Sequence, residues 1–374
     1  ASSALVLLPS PLPPPPSLEP WPHAPARASA DRCPRTQVTT PAARSTPGLS
    51  LFEIPPLRGG KPSFIPVAVR TSGVRSPYVV VLSDLTWLAY NGYGGRSLYF
   101  GPGLNHTQRV ANRSYVASAD RPLAVSGMGN VFTMNIPLIR FLSRQGISYD
   151  VTTDSSLDAT PAQLVGQTTV LIGGHSEYWT RRMYDAALRA RYAGTNFAFL
   201  GANEIYWQGR IERDRSGRES ALTVYRDSKL DRLAKAAPAT TTVQWRHPPL
   251  LRDPAALVGV GMSGVGVRGS YVVNTTPAWL FAGTNLRKGD VLDLAIGNEA
   301  DAQEPPTGLS PTNLPVPPAR QGARPWGASL ARWLWGRCSS ASRPRRGRTL
   351  SGIPRPRNCS TERQNAMLLD CALR

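Results

Sequence analysis

The chain has 374 residues, of which 41% are hydrophobic and 18% charged, so it is long enough for one large or two ordinary globular domains. Its formal net charge is +19, but twelve arginines against two acidic residues from Arg320 onward account for about half of it. No nucleic-acid-binding motif accompanies this charge, so nucleic acid is not an expected partner. No apolar run approaches the ~18 residues of a membrane span. The opening apolar stretch, residues 4–8, is too short for a signal peptide, and we expect a cytoplasmic protein.

The two ends of the chain differ in composition from its body. Residues 1–46 are rich in Pro, Ala and Arg, and residues 319–374 in Arg, Pro and Ser, which predicts disorder in both. All four cysteines lie in these ends, namely Cys33, Cys338, Cys359 and Cys371. The predicted folded domain, residues 47–318, therefore has no thiol nucleophile, no thiolate metal ligand and no disulfide.

Short apolar runs alternate with helical patterns in the first half of this domain. Buried strands are predicted over 78–82, 149–152, 169–173 and 196–201. Helices are predicted over 136–142, over 162–165 with Thr160 as the N-cap, and from Thr180 to Gly194. This alternation is typical of right-handed βαβ units, so we predict an α/β fold with a parallel sheet.

Other segments predict strands outside this sheet. Strands are expected over 51–54 and 63–69, the second at a sheet edge because of Pro66, and short strands without helices over 222–225, 242–245, 271–274 and 279–281. We interpret the latter as β additions to the core. Residues 87–99, rich in aromatics and glycine, are interpreted as a loop, either functional or an aromatic plug over the core.

Polar side chains follow two of the predicted buried strands. His175, Ser176 and Glu177 come directly after Gly173 and Gly174, and Asn203 follows the strand that ends near Gly201. Ligands of open α/β sheets bind beyond the carboxyl ends of the strands, and parallel strands present these ends at one edge. His175, Glu177 and Asn203 are therefore expected to share one crevice.

Several chemistries were weighed for this crevice. A serine hydrolase would need a G-x-S-x-G elbow, which the sequence lacks, and Ser176 should point away from its neighbours on an extended chain. The stretch Gly259–Gly264 matches G-x-G-x-x-G but lacks a following helix pattern, so a glycine-rich turn is favoured over dinucleotide binding.

A metal site is a further interpretation of the same residues. Glu177 is a hard oxygen ligand, Tyr90 could supply a phenolate, and His175 could bind metal or carry protons. These oxygens suit Fe(III) better than zinc. The alternative, a hydrogen-bonded His–Glu pair that orders a loop, stays open on the residues alone.

Four motifs together carry a family resemblance. They are Trp87-x-Ala-Tyr-Asn-x-x-Gly-Gly-Arg-Ser-Leu-Tyr99, Gly173-Gly-His-Ser-Glu-Tyr-Trp-Thr180, Phe199-Leu-Gly-Ala-Asn-x-x-Tyr-Trp207, and Trp279-Leu-Phe-Ala-Gly-Thr284 with Asn298-Glu-Ala-Asp301. In this order, between about residues 49 and 315, they resemble the C-terminal domain of the large (β) subunit of N,N-dimethylformamidase.

The resemblance implies a class I glutamine-amidotransferase-like, flavodoxin-like core without the usual cysteine. It implies a hydrolase of small linear amides with a mononuclear iron, Fe(III), held by two tyrosines and a glutamate. Tyr90 and Glu177 match two of these metal ligands, and His175, Asn203 and Glu299 match polar or acidic residues beside the metal. It also implies a small amide as substrate and, as partner, a small subunit or a second copy of the chain.

One position departs from the family pattern. The resemblance implies the second tyrosine ligand within the segment Gly48–Phe52, where this chain has Ser50 and Phe52. The alternative function is therefore a catalytically inactive amidotransferase-like binding or scaffold domain. A second tyrosine oxygen beside Glu177 would decide against it, and the tyrosines to check are Tyr93, Tyr99, Tyr115 and Tyr178.

Overall fold

The secondary structure of the computed structural model is described for residues 27–28, 48–54, 63–70, 75–273 and 281–302. The strands are β1 (Arg27–Ala28), β2 (Gly48–Ile54), β3 (Ser63–Val69), β4 (Tyr78–Leu82), β5 (Val116–Ser118), β6 (Asp150–Thr153), β7 (Thr169–Gly174), β8 (Tyr178–Thr180), β9 (Asn196–Gly201), β10 (Trp207–Arg213), β11 (Glu219–Thr223), β12 (Gly261–Val272) and β13 (Val291–Ala302). The α-helices are α1 (Asp84–Tyr90), α2 (His106–Ala111), α3 (Val125–Asn130), α4 (Ile136–Arg144), α5 (Asp154–Ala159), α6 (Arg181–Tyr192) and α7 (Ala255–Val258).

A four-stranded parallel sheet forms the centre of the fold. Its order is β6-β4-β7-β9, and each neighbouring pair is parallel. These are the four strands predicted from apolar runs, and their direction confirms the predicted mixed α/β fold with a parallel sheet. Their carboxyl ends, near residues 82, 153, 174 and 201, therefore lie at one edge.

Both faces of this sheet are buried, as the apolar runs require. One face carries Val79, Val81, Val170 and Ile172, which pack with residues of α1 and α6 such as Leu85 and Met183. The opposite face carries Val80, Leu82, Leu171 and Leu200, which pack with α4 and with the hairpin of β2 and β3. Because successive strand residues point to opposite faces, this alternation gives three layers.

The remaining strands form one further sheet and two hairpins. The second sheet has the order β1-β5-β11-β10-β8. Its strand β8, which directly follows the His175–Glu177 segment in the chain, pairs parallel with β10. Arg27–Ala28, inside the segment predicted to be disordered, pairs with β5. β12 and β13 pair as a long antiparallel hairpin. The expectation of β additions to the core is met, with different bounds.

Four local predictions are wrong in whole or in part. Residues 87–90, read as the start of a loop, end helix α1. Thr160 makes no side-chain cap, and residues 161–164 form a single 3-10 turn. Residues 242–245 contribute one bridge, between Gln244 and Trp207, and no strand. β11 ends at Thr223, so residues 224–225 are not part of a strand.

The stretch Gly259–Gly264 has the predicted turn character at its start. Gly259 has φ +88 and ends α7, and strand β12 begins at Gly261. A strand where dinucleotide binding requires a helix excludes that function for this stretch. Residues 279–280 of the predicted strand 279–281 and most of both chain ends lie outside the described residues, and Phe281 is not in a strand. In the described part of the chain, no helix has the length and apolar character needed to cross a membrane.

Candidate active site

The ends of β7 and β9 approach each other so closely that position 201 requires glycine, and the backbone at the end of β7 requires a second one. A Cβ on Gly201 would lie 1.6 Å from the Gly174 carbonyl oxygen, and Gly174 itself has φ +81, with Met134 against the place of its Cβ. This approach brings the segment after β7, with His175 and Glu177, beside the segment after β9, with Asn203.

Two tyrosines converge on Glu177. The Tyr90 hydroxyl donates to Glu177 Oε2 over 2.9 Å, and the Tyr99 hydroxyl donates to Glu177 Oε1. The two rings stack with centroids 4.3 Å apart and planes 29° apart. Glu177 is 2% exposed, and its backbone N–H donates to Thr86 Oγ1 of α1 over 3.1 Å. Each carboxylate oxygen of Glu177 therefore has its own phenol partner.

Tyr99 was not among the ligands assigned from the sequence. It follows Leu98, which is fully buried and whose N–H donates to the Ala89 carbonyl over 3.0 Å. This anchor folds the chain after α1 back so that Tyr99 meets Tyr90. Tyr115 instead stacks on Tyr225, and the Tyr178 hydroxyl accepts from Arg226. A signal is present in the sequence, because Tyr99 ends the first of the four motifs that carry the family resemblance and directly follows an apolar residue.

Ser50 and Phe52 lie elsewhere. They belong to β2, whose residues Leu49 and Leu51 pack toward the core. Because side chains alternate along a strand, Ser50 and Phe52 occupy the opposite face of the hairpin, and Phe52 is 38% exposed.

His175 joins the two halves of the site. Its Nε2 lies 3.1 Å from Glu177 Oε2 and 3.2 Å from the Tyr90 hydroxyl. Its Nδ1 lies 3.2 Å from the Ala202 carbonyl and 3.4 Å from Glu299 Oε2. Burial alone would lower the pKa of His175, but the hydrogen bond to Glu177 and the charges of Glu177 and Glu299 outweigh it and raise the pKa to about 9.

Asn203 and Glu299 complete the set predicted from the sequence. The Asn203 Nδ2 donates to Glu299 Oε1 over 3.4 Å, a long hydrogen bond. Asn203 is 5% exposed, and its Oδ1 has no hydrogen-bond partner among the described residues. Burial raises the pKa of Glu299. The structure thus brings Tyr90, His175, Glu177, Asn203 and Glu299 to one place; their chemical roles stay predictions.

The charge of Glu177 is stabilised despite its burial. Burial would raise its pKa, but hydrogen bonds from His175 and Tyr99 and the nearby charge of Arg226 lower the pKa of this carboxyl. Burial and the adjacent Glu177 raise the pKa of Tyr90 and Tyr99 above the ordinary value for phenols. Both phenols are therefore protonated donors to an ionised carboxylate.

Arg226 is a neighbour of the site that sequence reasoning missed. Its guanidinium lies 4.3 Å from the centre of the Tyr99 ring and 4.9 Å from the Trp207 ring, and it hydrogen-bonds to the Tyr178 hydroxyl. It follows β11 in a left-handed conformation, with φ +65. A single arginine in a loop gave no pattern that could have identified it.

Ser176 does not face the site. Its hydroxyl accepts from the Trp179 indole N–H over 2.8 Å, and the residue is fully buried. This orientation agrees with the rejection of a serine hydrolase. Within the ranges that the structure describes, no group of three or more His, Cys, Asp or Glu side chains is placed to hold a metal. A metal at this site would therefore depend on the phenol oxygens.

Fold and site together define an α/β protein with a buried tyrosine–carboxylate–histidine cluster at the carboxyl edge of a parallel sheet. The family model described as "N,N-dimethylformamidase beta subunit-like, C-terminal" matches residues 21–324, and the chain belongs to this family. The match confirms the resemblance carried by the four motifs. No curated protein matches the chain.

Proposed function

We propose that the protein is a metal-dependent hydrolase of small amide C–N bonds, converting an N,N-dimethylformamide-type amide and water into a carboxylate and an amine. The observation that carries this proposal is the convergence of the Tyr90 and Tyr99 hydroxyls on the two oxygens of Glu177, with His175 at the same carboxylate. Membership of the dimethylformamidase β-subunit-like family supports it.

The donor set fits the mononuclear iron that the family resemblance implies. Two phenol oxygens and a carboxylate are hard donors, which suit a hard, highly charged cation. They come from three separate segments yet meet within hydrogen-bonding distance, and Tyr99 supplies the second phenol that Ser50 and Phe52 cannot. Tyr90, Tyr99 and Glu177 would hold the ion. Bound there, iron would supply Lewis-acid polarisation of the amide carbonyl and activation of water.

The remaining residues would handle protons and orientation. His175, at hydrogen-bonding distance from Tyr90 and Glu177, would give a proton to the departing amine nitrogen as the C–N bond breaks. The Asn203 Nδ2, the donor atom of this buried side chain, makes only a long 3.4 Å hydrogen bond to Glu299 and would turn to the amide carbonyl oxygen to orient it and stabilise its developing negative charge. Glu299, 3.4 Å from His175 Nδ1, would hold the protonated ring.

The test combines iron determination with turnover of N,N-dimethylformamide. We expect iron stoichiometric with the chain in the wild type, and loss of both iron and turnover in Glu177→Gln, Tyr90→Phe and Tyr99→Phe. The matched control is Tyr184→Phe, which removes another buried phenol hydrogen bond, donated to the Asp253 carbonyl over 2.9 Å, away from the site. Unchanged iron and turnover in Tyr99→Phe would reject the assignment of Tyr99.

The second candidate is a catalytically inactive binding or scaffold domain, suggested by Ser50 and Phe52 at the position of the expected tyrosine, although the Tyr99 hydroxyl beside Glu177 counts against it. It predicts a wild-type protein without iron and without amide turnover.

We also propose, from the family description, that the chain assembles with another subunit. A class I amidotransferase-like core is a further proposal, which the four parallel strands support. Measurement of molecular mass with and without a co-expressed small subunit tests the assembly.

A further inference from the structure

Asp301 lies outside the set that would contact substrate or metal, yet it joins two distant parts of the site. It is 7% exposed and sits near the end of β13, two residues after Glu299. Its Oδ1 accepts a 2.8 Å hydrogen bond from the backbone N–H of Asn203, which lies 98 positions earlier in the chain. Residues two apart on a strand point to the same side, so β13 presents Glu299 and Asp301 together to the segment after β9.

The accepted N–H belongs to a residue in an uncommon conformation. Asn203 has φ +58, in the left-handed region that non-glycine residues rarely occupy, and Ile205 has φ +54. Such a conformation persists where surrounding contacts enforce it. The buried bond from Asn203 to Asp301 is a contact of this kind.

The backbone turn at Asn203 determines the orientation of the His175 ring. The Ala202 carbonyl, directly before Asn203, lies 3.2 Å from His175 Nδ1. A carbonyl can only accept, so this contact requires a hydrogen on Nδ1 and directs Nε2 toward Tyr90 and Glu177. The position of the Ala202 carbonyl thus fixes which ring nitrogen faces the Tyr90 phenol and the Glu177 carboxylate.

We propose that Asp301 is a positioning residue: its carboxylate locks the turn after β9, so that the Ala202 carbonyl orients the His175 ring and the Asn203 side chain meets Glu299. Asp301 touches neither nitrogen of His175 in this scheme and acts through the backbone of Asn203. The expected effect of Asp301 on turnover rests on the proposed hydrolase function. Its effect on the orientation of His175 does not depend on that function.

The test uses Asp301→Ala and the conservative Asp301→Asn in the full chain, because an amide oxygen can still accept from the Asn203 N–H. The first readout is the Nδ1-bound proton of His175 in NMR spectra of metal-free protein labelled at its four histidines, assigned with His175→Gln. We expect this proton to be protected from exchange in the wild type and in Asp301→Asn, and to be lost in Asp301→Ala.

The second readout is turnover of N,N-dimethylformamide, which rests on the proposed function. Loss of groups that orient catalytic residues typically costs ~10–100-fold. We expect kcat to fall about 10-fold or more in Asp301→Ala with a small change in KM, and to recover in Asp301→Asn. The matched control is Asp290→Ala, which removes a 2.8 Å hydrogen bond from the Arg287 N–H at the other end of the hairpin. It should leave both readouts unchanged.

The outcomes separate the two claims. If Asp301→Ala folds and its His175 Nδ1 proton is still protected from exchange, the positioning role is overturned. If Asp301→Ala does not fold, loss of that protected proton in Asp301→Asn overturns the role instead. Absence of turnover in the wild type overturns the proposed hydrolase, while the NMR comparison still decides the role of Asp301.

Discussion

The guanidinium of Arg226 lies 4.3 Å from the centre of the Tyr99 ring, whose hydroxyl donates to Glu177. A cation over an aromatic face contributes ~0.5–2 kcal/mol. Arg226 therefore both orients Tyr99 and places positive charge beside the buried Glu177 carboxylate. This contact connects the loop after β11 with the proposed metal ligands.

We predict that Arg226→Met lowers the free energy of unfolding by about 1–2 kcal/mol, the size of a partly buried cation–π contact. Because Tyr99 and Glu177 lose their cationic neighbour, iron content should also fall, and Arg226→Lys should restore part of it. Chemical denaturation and iron determination measure the two effects. Arg252→Met is the control, since Arg252 lies 4.2 Å from the Tyr184 ring, away from the site. Equal iron loss in both methionine variants would contradict a specific role for Arg226.

The close approach of β7 and β9 gives a second prediction. Gly201→Ala would place a Cβ 1.6 Å from the Gly174 carbonyl oxygen, so the strand ends must separate. Overpacking of this kind costs ~1–3 kcal/mol, occasionally more. We expect a loss of about 3 kcal/mol in denaturant unfolding and loss of turnover, because His175 and Asn203 follow these strand ends.

Gly129→Ala is the matched control for that substitution. Gly129 lies in α3 with no atom within 4 Å of an added Cβ. Alanine there should be neutral or stabilise the protein by up to ~1 kcal/mol, as expected for a helical glycine. A Gly201→Ala protein as stable as the Gly129→Ala protein would show that the two strand ends separate without cost.

The third prediction concerns acid stability. Asp231 is 4% exposed and pairs with Arg210 over 2.6 Å, while its Oδ2 also accepts from the Thr242 N–H and hydroxyl. Burial would raise its pKa, but these hydrogen bonds lower the pKa of this carboxyl below its ordinary value. Its stabilising contribution is therefore complete above the unfolded pKa of ~3.9 and is lost as the pH falls through the folded pKa.

Asp231→Asn should accordingly lower the free energy of unfolding by about 2 kcal/mol at pH 7, within the range for a buried charged hydrogen bond. The difference from the wild type should narrow as the pH drops below ~4, where the wild-type carboxyl becomes protonated. Denaturant unfolding of both proteins at several pH values provides the measurement. A difference that stays constant down to pH ~2 would refute the assigned pKa direction.

The sequence predicted the parallel sheet because its signals are local. Runs such as Thr169–Ile172 are continuous and apolar, which requires burial on both faces, and the glycines after them mark where polar side chains gather. His175, Glu177 and Asn203 were found by the same reasoning. Thr180 was read correctly as an N-cap, since its hydroxyl accepts from the Met183 N–H.

The errors arose where tertiary contacts decide the structure. Helix α1 has seven residues and no side-chain cap, so its aromatic and glycine-rich surroundings suggested a loop. Tyr99 reaches Glu177 beside the buried Leu98. Thr242 is held by Asp231, and residues 243–245 by two backbone hydrogen bonds to residues 206–208 that do not extend into a strand. None of these contacts leaves a periodic pattern in the sequence.

The hairpin of β12 and β13 gives the site an acidic side that is built late. The parallel sheet is complete by Gly201, whereas Glu299 and Asp301 are synthesised about a hundred residues afterward. The turn at Asn203, which directly follows the sheet in sequence, therefore takes its Asp301 partner from the last described strand. The acidic surroundings of His175 thus depend on the part of the described chain that comes last.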